Sequence, residues 1–194
     1  MIEMIVAVGL FSTLMLIIVG SLLSMTDASR KARATRLAID NVANAIDYMS
    51  REIRLGSFFR CEDGNTLTGT ITSPRDCPYA TGGQFISFER AGGSLLSSGD
   101  QMIFRLNTAV PAKQFIEVST DSGTTYSPLT DTGIQIQTMK FFVDGSNYSV
   151  SGSDANQPKI SVLIKGLAGN KVKTQVPFTA QTTLTARTPN IPPP

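Results

Sequence analysis

The uncharged run MIVAVGLFSTLMLIIVGSLLSMT, which extends from Met4 to Thr26, decides the fold of this chain. Its 23 residues would form a helix of ~35 Å, long enough to cross a hydrocarbon core of about 30 Å. Apolar side chains occupy every face of that helix, whereas a helix packed on the surface of a soluble domain shows a polar stripe. A cleaved secretory signal is the alternative, but such signals begin with basic residues and have an apolar core of about 7–15 residues. We therefore predict a membrane-inserted helix.

The uncharged run and the distribution of glycine and proline divide the chain into four predicted segments. Residues 1–26 are predicted to form the membrane half of an N-terminal helix, and residues 27–55 an amphipathic stem. Residues 56–187 are predicted to form an antiparallel β globular domain, and residues 188–194 a proline-rich tail. The side chains predicted to line the membrane helix are Met4, Ile5, Val6, Val8, Leu10, Phe11, Leu14, Leu16, Ile17, Ile18, Val19, Leu22 and Leu23.

The stem is predicted to continue the helix because no proline or glycine lies between Asp27 and Leu55. Apolar residues recur there at steps of three and four, which is the spacing of one helical stripe. The stripe consists of Ile39, Val42, Ile46, Met49 and Ile53. Gly56 is the predicted end of the helix. We expect the stripe to pack against the following domain, and a partner helix in a coiled coil is the alternative.

The region after Gly56 alternates short β-forming runs with turn clusters, which predicts antiparallel hairpins rather than βαβ units. The clearest hairpin signal is Asp144-Gly145, which lies between Phe142-Val143 and Tyr148–Val150. The predicted strands are Gln84–Arg90, Gln101–Asn107, Lys113–Ser119, Gly133–Val143, Tyr148–Val150, Lys159–Lys165 and Lys173–Arg187.

The composition argues against several classes of function. The chain has 194 residues, no histidine, two cysteines, and 17 basic against 15 acidic residues. Without histidine, the commonest general base and the commonest metal ligand are missing, and two cysteines cannot build a four-cysteine zinc site. A near-neutral charge argues against nucleic-acid binding through a basic surface. We therefore expect no enzymatic activity, no cofactor, no metal site and no nucleic-acid partner.

The N-terminal residues MIEMIVAVGLF resemble the start of mature type IV pilins and type II secretion pseudopilins. In that family, phenylalanine, a small polar residue, leucine, isoleucine and glutamate precede a long apolar run. Ile2 and Glu3 align with the isoleucine and the glutamate, and Met1 stands where leucine is usual. The chain thus begins two residues inside the family's mature N-terminus, so the resemblance implies that further residues and a leader precede Met1.

Later stretches narrow the resemblance to the J-type minor pseudopilins. The stem segment 36–54 resembles the second half of their long helix, and segments 139–145 and 178–187 resemble their closing strands. The resemblance implies an α+β, pilin-like fold. In this fold the long N-terminal helix, half membrane anchor and half stem, packs on an antiparallel β-sheet domain.

The resemblance also implies a function as a structural subunit. The protein would belong to a type II secretion pseudopilus or a type IV pilus-like filament, at or near its tip. Its partners would be other pilins through the N-terminal helix, the cytoplasmic membrane and the assembly platform. The α-amino group of a neighbouring subunit would neutralise Glu3, a buried pair that sets register more than it adds stability.

Two alternatives stay open at this point. Glu3 could instead be a carboxylate at headgroup level without a partner. The chain could also be a single-pass, membrane-anchored adhesin or binding protein that never enters a filament.

Two indicators of membrane topology disagree. Four basic residues between Arg30 and Arg36 follow the span, and the positive-inside rule would place that side in the cytoplasm. The resemblance implies the opposite orientation, with the helix in the cytoplasmic membrane and the C-terminal domain outside the cytoplasm, and we adopt it. In that compartment a disulfide between Cys61 and Cys77 is expected, and two free thiols are the alternative.

Two further groups of polar residues are expected to be solvated. Asp121, Asp131, Asp144 and Asp154 lie in loops that lack the spacing of a calcium-binding loop. Lysines give the C-terminal sheet a basic character that could contact DNA phosphates in an uptake pilus. Without clustered aromatic residues, however, a solvated sheet face is the expectation. These lysines are Lys140, Lys159, Lys165, Lys171 and Lys173.

Overall fold

A single helix, α1, extends from Ile2 to Leu55 and contains 54 residues. In this computed structural model the described residues are 2–64, 74–77, 80–93, 97, 99–131, 133–146, 157–169 and 175–187. At ~1.5 Å per residue the helix is about 80 Å long. It has no break where the predicted membrane half meets the stem, as expected from a segment whose only glycines, Gly9 and Gly20, lie within the apolar run.

The first sheet has five antiparallel strands, each paired with its neighbour in the chain. Its strands are β1 (Ser57–Glu62), β2 (Phe85–Glu89), β3 (Met102–Asn107), β4 (Phe115–Ser119) and β5 (Ser127–Pro128). A short 3₁₀ turn, Pro111–Lys113, precedes β4. Pairing between successive strands is the hairpin arrangement that the short spacing predicted.

The second sheet has three long antiparallel strands in the order β6-β7-β8. They are β6 (Ile134–Asp144), β7 (Lys159–Ala168) and β8 (Val176–Thr185). The partner of β6 is β7, with Asp144 opposite Lys159. The predicted hairpin partner Tyr148–Val150 lies outside the described residues, as do Asp154, Lys171, Lys173 and the tail 188–194.

Backbone hydrogen bonds join the two sheets along one seam. Gly83 and Phe141 exchange both backbone hydrogen bonds, each at 2.7 Å, and the Cys77 N–H donates to Val143 O at 3.1 Å. On the other side, the Cys61 N–H donates to Arg75 O at 3.0 Å. The segment Arg75–Cys77 therefore connects edge strand β1 to edge strand β6.

One hydrophobic core lies between the stem and the two sheets. Phe59, Phe88 and Phe104 are fully buried. The ring centroids of Phe59 and Phe88 lie 5.3 Å apart, and Tyr48 of the stem meets Phe104 edge-on at 6.1 Å. Buried aliphatic side chains from β6 and β7 complete the same core. The expected α+β fold, with a long N-terminal helix packed on antiparallel sheets, is confirmed.

Gly56 lies directly after the helix, as predicted, and its N–H donates to Ile53 O at 3.2 Å. A Cβ at this position would lie 2.8 Å from Cε2 of Phe88. Glycine is therefore needed because β2 packs closely on the end of the helix. The left-handed backbone conformation falls two residues later, at Phe58 with φ 54°.

Strand β1 was not predicted from the sequence. It begins immediately after the helix, and its register against β2 shifts between Ser57 and Arg60. This irregularity accompanies the positive φ of Phe58 and breaks the simple alternation of buried and exposed residues. A bulge of this kind removes the period-2 pattern on which strand prediction depends.

Candidate assembly surfaces

The N-terminal half of α1 exposes apolar side chains on every face. Mean hydropathy reaches 2.5 over its most apolar window of 18 residues, and none of that window is buried. This helix is long and apolar enough to form a single membrane span. All the side chains predicted to line the membrane helix are exposed: Met4, Ile5, Val6, Val8, Leu10, Phe11, Leu14, Leu16, Ile17, Ile18, Val19, Leu22 and Leu23.

The helix itself satisfies two hydroxyl groups within this apolar surface. Ser12 Oγ donates to Val8 O at 2.8 Å, and Thr13 Oγ1 donates to Leu10 O at 2.9 Å. Such back-bonding satisfies polar groups where water is absent. The surface is therefore compatible with lipid even at Ser12 and Thr13.

A carboxylate and two glycines in the N-terminal half of α1 bear on its contacts with other helices. Glu3 lies exposed in the first turn of α1, where the partial positive charge of the helix N-terminus favours a carboxylate. A Cβ at Gly9 or Gly20 would meet nothing within 4 Å. These glycines leave shallow notches that a neighbouring helix can approach closely.

The stem packs on the domain through a slightly different stripe from the predicted one. Val42, Met49 and Ile53 are buried as expected, and Ile46 is half-buried against the core. The prediction for Ile39 is wrong, because its side chain is 58% exposed.

Two alanines complete the stripe in place of Ile39. Ala38 and Ala45 are fully buried, so the buried positions of the stem begin one residue before Ile39. That difference rotates the contact line by about 100° at this turn, which moves Ile39 off it. Small side chains at the contact line allow the helix to approach the sheets closely.

A groove of about 530 Å³ opens between α1 and the domain, next to the end of the apolar run. The helix contributes Thr26, Arg30 and Arg33 to its lining, and the domain contributes Asp131 and Ile134. With residues 4–26 in a bilayer, this groove would lie at the level of the lipid headgroups.

A second concavity, of about 470 Å³, lies at the other end of the stem. Arg51, Arg54 and Arg187 line it together with Asp47. The Arg187 N–H donates to Arg54 O at 2.9 Å, which ties the chain after β8 to the helix end.

Cys61 and Cys77 form a disulfide with a Cα–Cα distance of 5.4 Å, as expected. The bond lies at the seam between the sheets, and Gly83 packs directly against it. A Cβ at Gly83 would lie 2.6 Å from Cys77 Sγ. The disulfide is therefore enclosed by the residues that join β1 to β6.

Among the aspartates predicted to lie in loops, Asp121 organises a turn, Asp131 contacts the stem through its backbone, and Asp144 ends strand β6. Asp121 accepts hydrogen bonds from the Thr125 N–H at 2.9 Å, Thr125 Oγ1 at 2.6 Å and Ser119 Oγ at 2.7 Å. These bonds hold the pKa of Asp121 down at about 2. The Asp131 N–H donates to Asn41 Oδ1 of the stem at 3.4 Å. Asp121 thus organises a turn, which the sequence-based expectation of a merely solvated residue did not include.

Lys140 is tied to its neighbours, whereas Lys159 and Lys165 are exposed. Lys140 Nζ donates to Asp63 Oδ1 at 3.2 Å and to Gly82 O at 3.3 Å. Of the lysines predicted to give this sheet a basic character, Lys140 on β6 therefore forms an ion pair, whereas Lys159 and Lys165 on β7 are surface charges.

A layer of buried polar side chains lies on the face of the first sheet that points away from the helix, and the sequence analysis did not find it. Glu117 accepts hydrogen bonds from Arg105 Nε at 3.1 Å and Asn107 Nδ2 at 2.6 Å. The Arg105 guanidinium lies 3.3 Å from the ring centroid of Tyr126. These partners are brought together by strand pairing, so only the alternation of charged with apolar residues along β3 and β4 could have indicated them.

A pair of carboxylates, Glu89 and Asp100, lies at the loop end of the β2–β3 hairpin. Burial raises the pKa of Glu89 to about 7, and the negative charge of Asp100 contributes to the rise. No group of three or more His, Cys, Asp or Glu side chains suited to a metal ion was found among the described residues.

Comparisons of this chain with protein-family models, with curated proteins and with solved structures found no match.

Proposed function

We propose that this protein is a membrane-anchored subunit of a pilus-like filament, of the minor pilin or pseudopilin type. The single observation that carries the proposal is the continuity of α1, whose N-terminal half exposes an apolar surface and whose other half packs on the β domain. Such a helix can exchange lipid for neighbouring helices without a change in its own structure.

The length of the helix supports a filament over a simple anchor. Crossing a bilayer takes about 20 helical residues, whereas α1 has 54. The remaining turns are fixed to the sheets through Val42, Met49 and Ile53. A receptor requires only a span and a linker, whereas a rigid rod sets the position of its domain relative to helices that pack beside it.

Glu3 is the residue proposed to set the register between subunits. A carboxylate among apolar helices is costly unless an opposite charge meets it. The α-amino group of the next subunit would provide that charge. Because Glu3 is exposed in the first turn, a neighbouring molecule can reach it without rearrangement.

The disulfide supports the proposed topology. Structural disulfides form and persist in oxidising compartments outside the cytoplasm, and Cys61–Cys77 lies within the domain. The proposed orientation therefore puts the N-terminus of α1 towards the cytoplasm and the β domain on the far side of the cytoplasmic membrane. Within the assembly, the partners would be other pilins and the assembly platform, with a place at or near the tip.

The proposal is tested by Glu3→Gln, measured in cells that make the filament. We expect the variant to fractionate with membranes as the wild type does, but to be absent from the sheared filament fraction. Asp27→Asn is the matched control, since it removes a carboxylate from the same helix beyond the apolar run. Normal incorporation of the Glu3→Gln variant into filaments would show that Glu3 does not set the register between subunits. Absence of the wild-type protein from filaments would favour an anchored adhesin or binding protein.

A further inference from the structure

The groove between α1 and the domain has two arginines on its helix side. Thr26, Arg30 and Arg33 follow one another at steps of four and three, so they share one face of α1, and that face lines the groove. Lys31 is turned from Arg30 by about 100° and does not line it. The groove therefore takes up a particular subset of the basic residues that follow the apolar run.

The charge of these arginines is available to a ligand. No ion pair joins Arg33 to a carboxylate among the described residues, and Arg30 Nη1 lies 4.0 Å from Asp27 Oδ1 in an exposed pair. Exposed pairs of this kind contribute little stability, so a ligand can replace them. On the domain side, Asp131 contributes one carboxylate to the lining. Two arginines against one aspartate leave a single net positive charge, which one phosphodiester would balance.

The domain side of the groove leaves space for a ligand. Gly133 and Gly169 form part of that wall, and a Cβ on Gly133 would meet nothing nearer than Asp131 Oδ2, 3.9 Å away. The volume of about 530 Å³ lies within the range of small-molecule sites. Ser29 of the helix adds a hydroxyl group to the same lining.

The apolar surface of the membrane half continues directly into this groove. Val19 and Leu23 precede Thr26 at the same steps of four and three, and both side chains are exposed. Arg30 lies ~6 Å and Arg33 ~10 Å beyond Thr26 along the helix axis, next to a headgroup layer about 5–8 Å thick. Helical side chains point towards the N-terminus, which here is the membrane side, so both guanidinium groups can reach back to the headgroups.

We propose that this groove binds the headgroup of one anionic phospholipid of the phosphatidylglycerol class. Arg30 and Arg33 hold the phosphate, for which the guanidinium fork is suited. The acyl chains lie along Val19 and Leu23, on the same face of the helix. A free phosphate would use the arginines alone and would leave that apolar face unoccupied, so the continuity of the two surfaces favours a lipid.

Because the site needs residues 4–26 to lie in a bilayer, it rests on the membrane anchorage within the proposed function but not on the filament. It also gives a role to charges that the topology leaves unexplained. In the proposed orientation the basic residues after the span lie outside the cytoplasm, where the positive-inside rule would not place them. A lipid phosphate supplies two of them with a partner on that side. A lipid held between stem and domain would also fix the depth of the domain above the bilayer.

The test is native mass spectrometry of the detergent-solubilised full chain with phosphatidylglycerol or phosphatidylcholine of identical acyl chains. We expect one phosphatidylglycerol per chain, retained on the order of tenfold more strongly than phosphatidylcholine. Excess inorganic phosphate should not displace it. Displacement would assign the arginines to a free anion and overturn the proposal, as would equal retention of the two lipids.

Matched variants make the test specific to the groove. Arg30→Gln and Arg33→Gln should each weaken retention of phosphatidylglycerol by roughly fivefold. Lys31→Gln removes the same charge at the same depth from another face, and it should retain the lipid as the wild type does. Gly133→Phe should also reduce retention, because its side chain fills the groove without changing the charge. An equal loss in Lys31→Gln would overturn the proposal, since the lipid would then bind a diffuse basic surface.

Flotation of the wild type with phosphatidylcholine liposomes separates this site from the anchor. A chain that floats but shows no preference for phosphatidylglycerol would overturn the lipid site and leave the proposed function standing. A chain that does not float would overturn the membrane anchorage, and the lipid site with it.

Discussion

Gly83 lies where the two sheets approach each other closely. A side chain there would meet Cys77 Sγ and Glu62 O, each 2.6 Å from the added Cβ. Gly83→Ala should therefore lower the free energy of unfolding by about 1–3 kcal/mol, since overpacking forces the backbone to move. Gly99→Ala is the control, because its nearest neighbour is 3.9 Å away. Urea unfolding of the solubilised chain would measure both, and equal midpoints would show that the seam tolerates a side chain.

Glu89 should make the stability of the domain depend on pH. Its pKa rises from the ordinary 4.5 to about 7 on folding, so the folded chain binds more protons between these values. The free energy of unfolding should fall as the pH rises from about 4.5 to about 7, by roughly 3 kcal/mol in total, and then level off. Urea unfolding across this pH range would measure the fall. Glu89→Gln should abolish it, and an unchanged pH profile in that variant would assign the effect to another group.

Arg105 is expected to be essential to the buried polar layer on the outer face of the first sheet. Arg105→Met would leave Glu117 buried without its cationic partner and should cost about 3–5 kcal/mol. Replacing both, as Arg105→Met with Glu117→Leu, should restore part of that loss. A double-mutant cycle in urea measures the coupling. Additive effects would show that the two side chains act independently.

Among the elements, the stem allows a matched comparison of two isoleucines. Ile53 is fully buried and Ile39 is 58% exposed, on the same helix. Ile53→Ala should lower the free energy of unfolding by about 2–5 kcal/mol, whereas Ile39→Ala should change it by less than about 0.5 kcal/mol. Urea unfolding measures both. A large loss of unfolding free energy for Ile39→Ala would show that Ile39 belongs to the packing stripe, as the sequence predicted.

The comparison of elements shows which parts of the fold follow from local patterns. The uncharged run and the absence of helix breakers were sufficient to predict α1, and turn clusters were sufficient for β2, β3, β4, β6, β7 and β8. The stripe failed at Ile39 because alanines 38 and 45, weakly apolar in the sequence, are the residues that let the helix approach the sheets. β1 was missed because the irregular backbone at Phe58 hides its alternation.

The polar clusters could not be predicted because they depend on pairing across strands. Arg105 and Glu117 meet only through the register of β3 with β4, and Glu89 meets Gln101 only through that of β2 with β3. The disulfide was predictable because only two cysteines exist, although its place at the seam was not. Residues alone indicate which groups exist, and the topology decides which of them are buried together.

At the scale of the whole molecule, the disulfide stabilises the connection between the two sheets. Cys61 and Cys77 are 16 residues apart in the sequence, and closing a loop of that size contributes about 3 kcal/mol. Cys61→Ser with Cys77→Ser should lower the free energy of unfolding by that amount, measured by urea unfolding. The wild type with reductant provides a second measurement. Unchanged stability in both the double variant and the reduced wild type would show that the hydrogen bonds of the seam hold the two sheets together without the disulfide.

The central claim is that the chain is a filament subunit anchored by α1. It depends on a free α-amino group at the native N-terminus, which can pair with Glu3 of a neighbouring subunit. Intact mass and N-terminal sequencing of the native protein from cell envelopes test it most directly. The account predicts a processed chain that begins two residues before Met1, with an N-methylated phenylalanine whose amine can meet Glu3 of a neighbour. A native chain that begins, unprocessed, at Met1 would contradict the account and would leave an anchored binding domain.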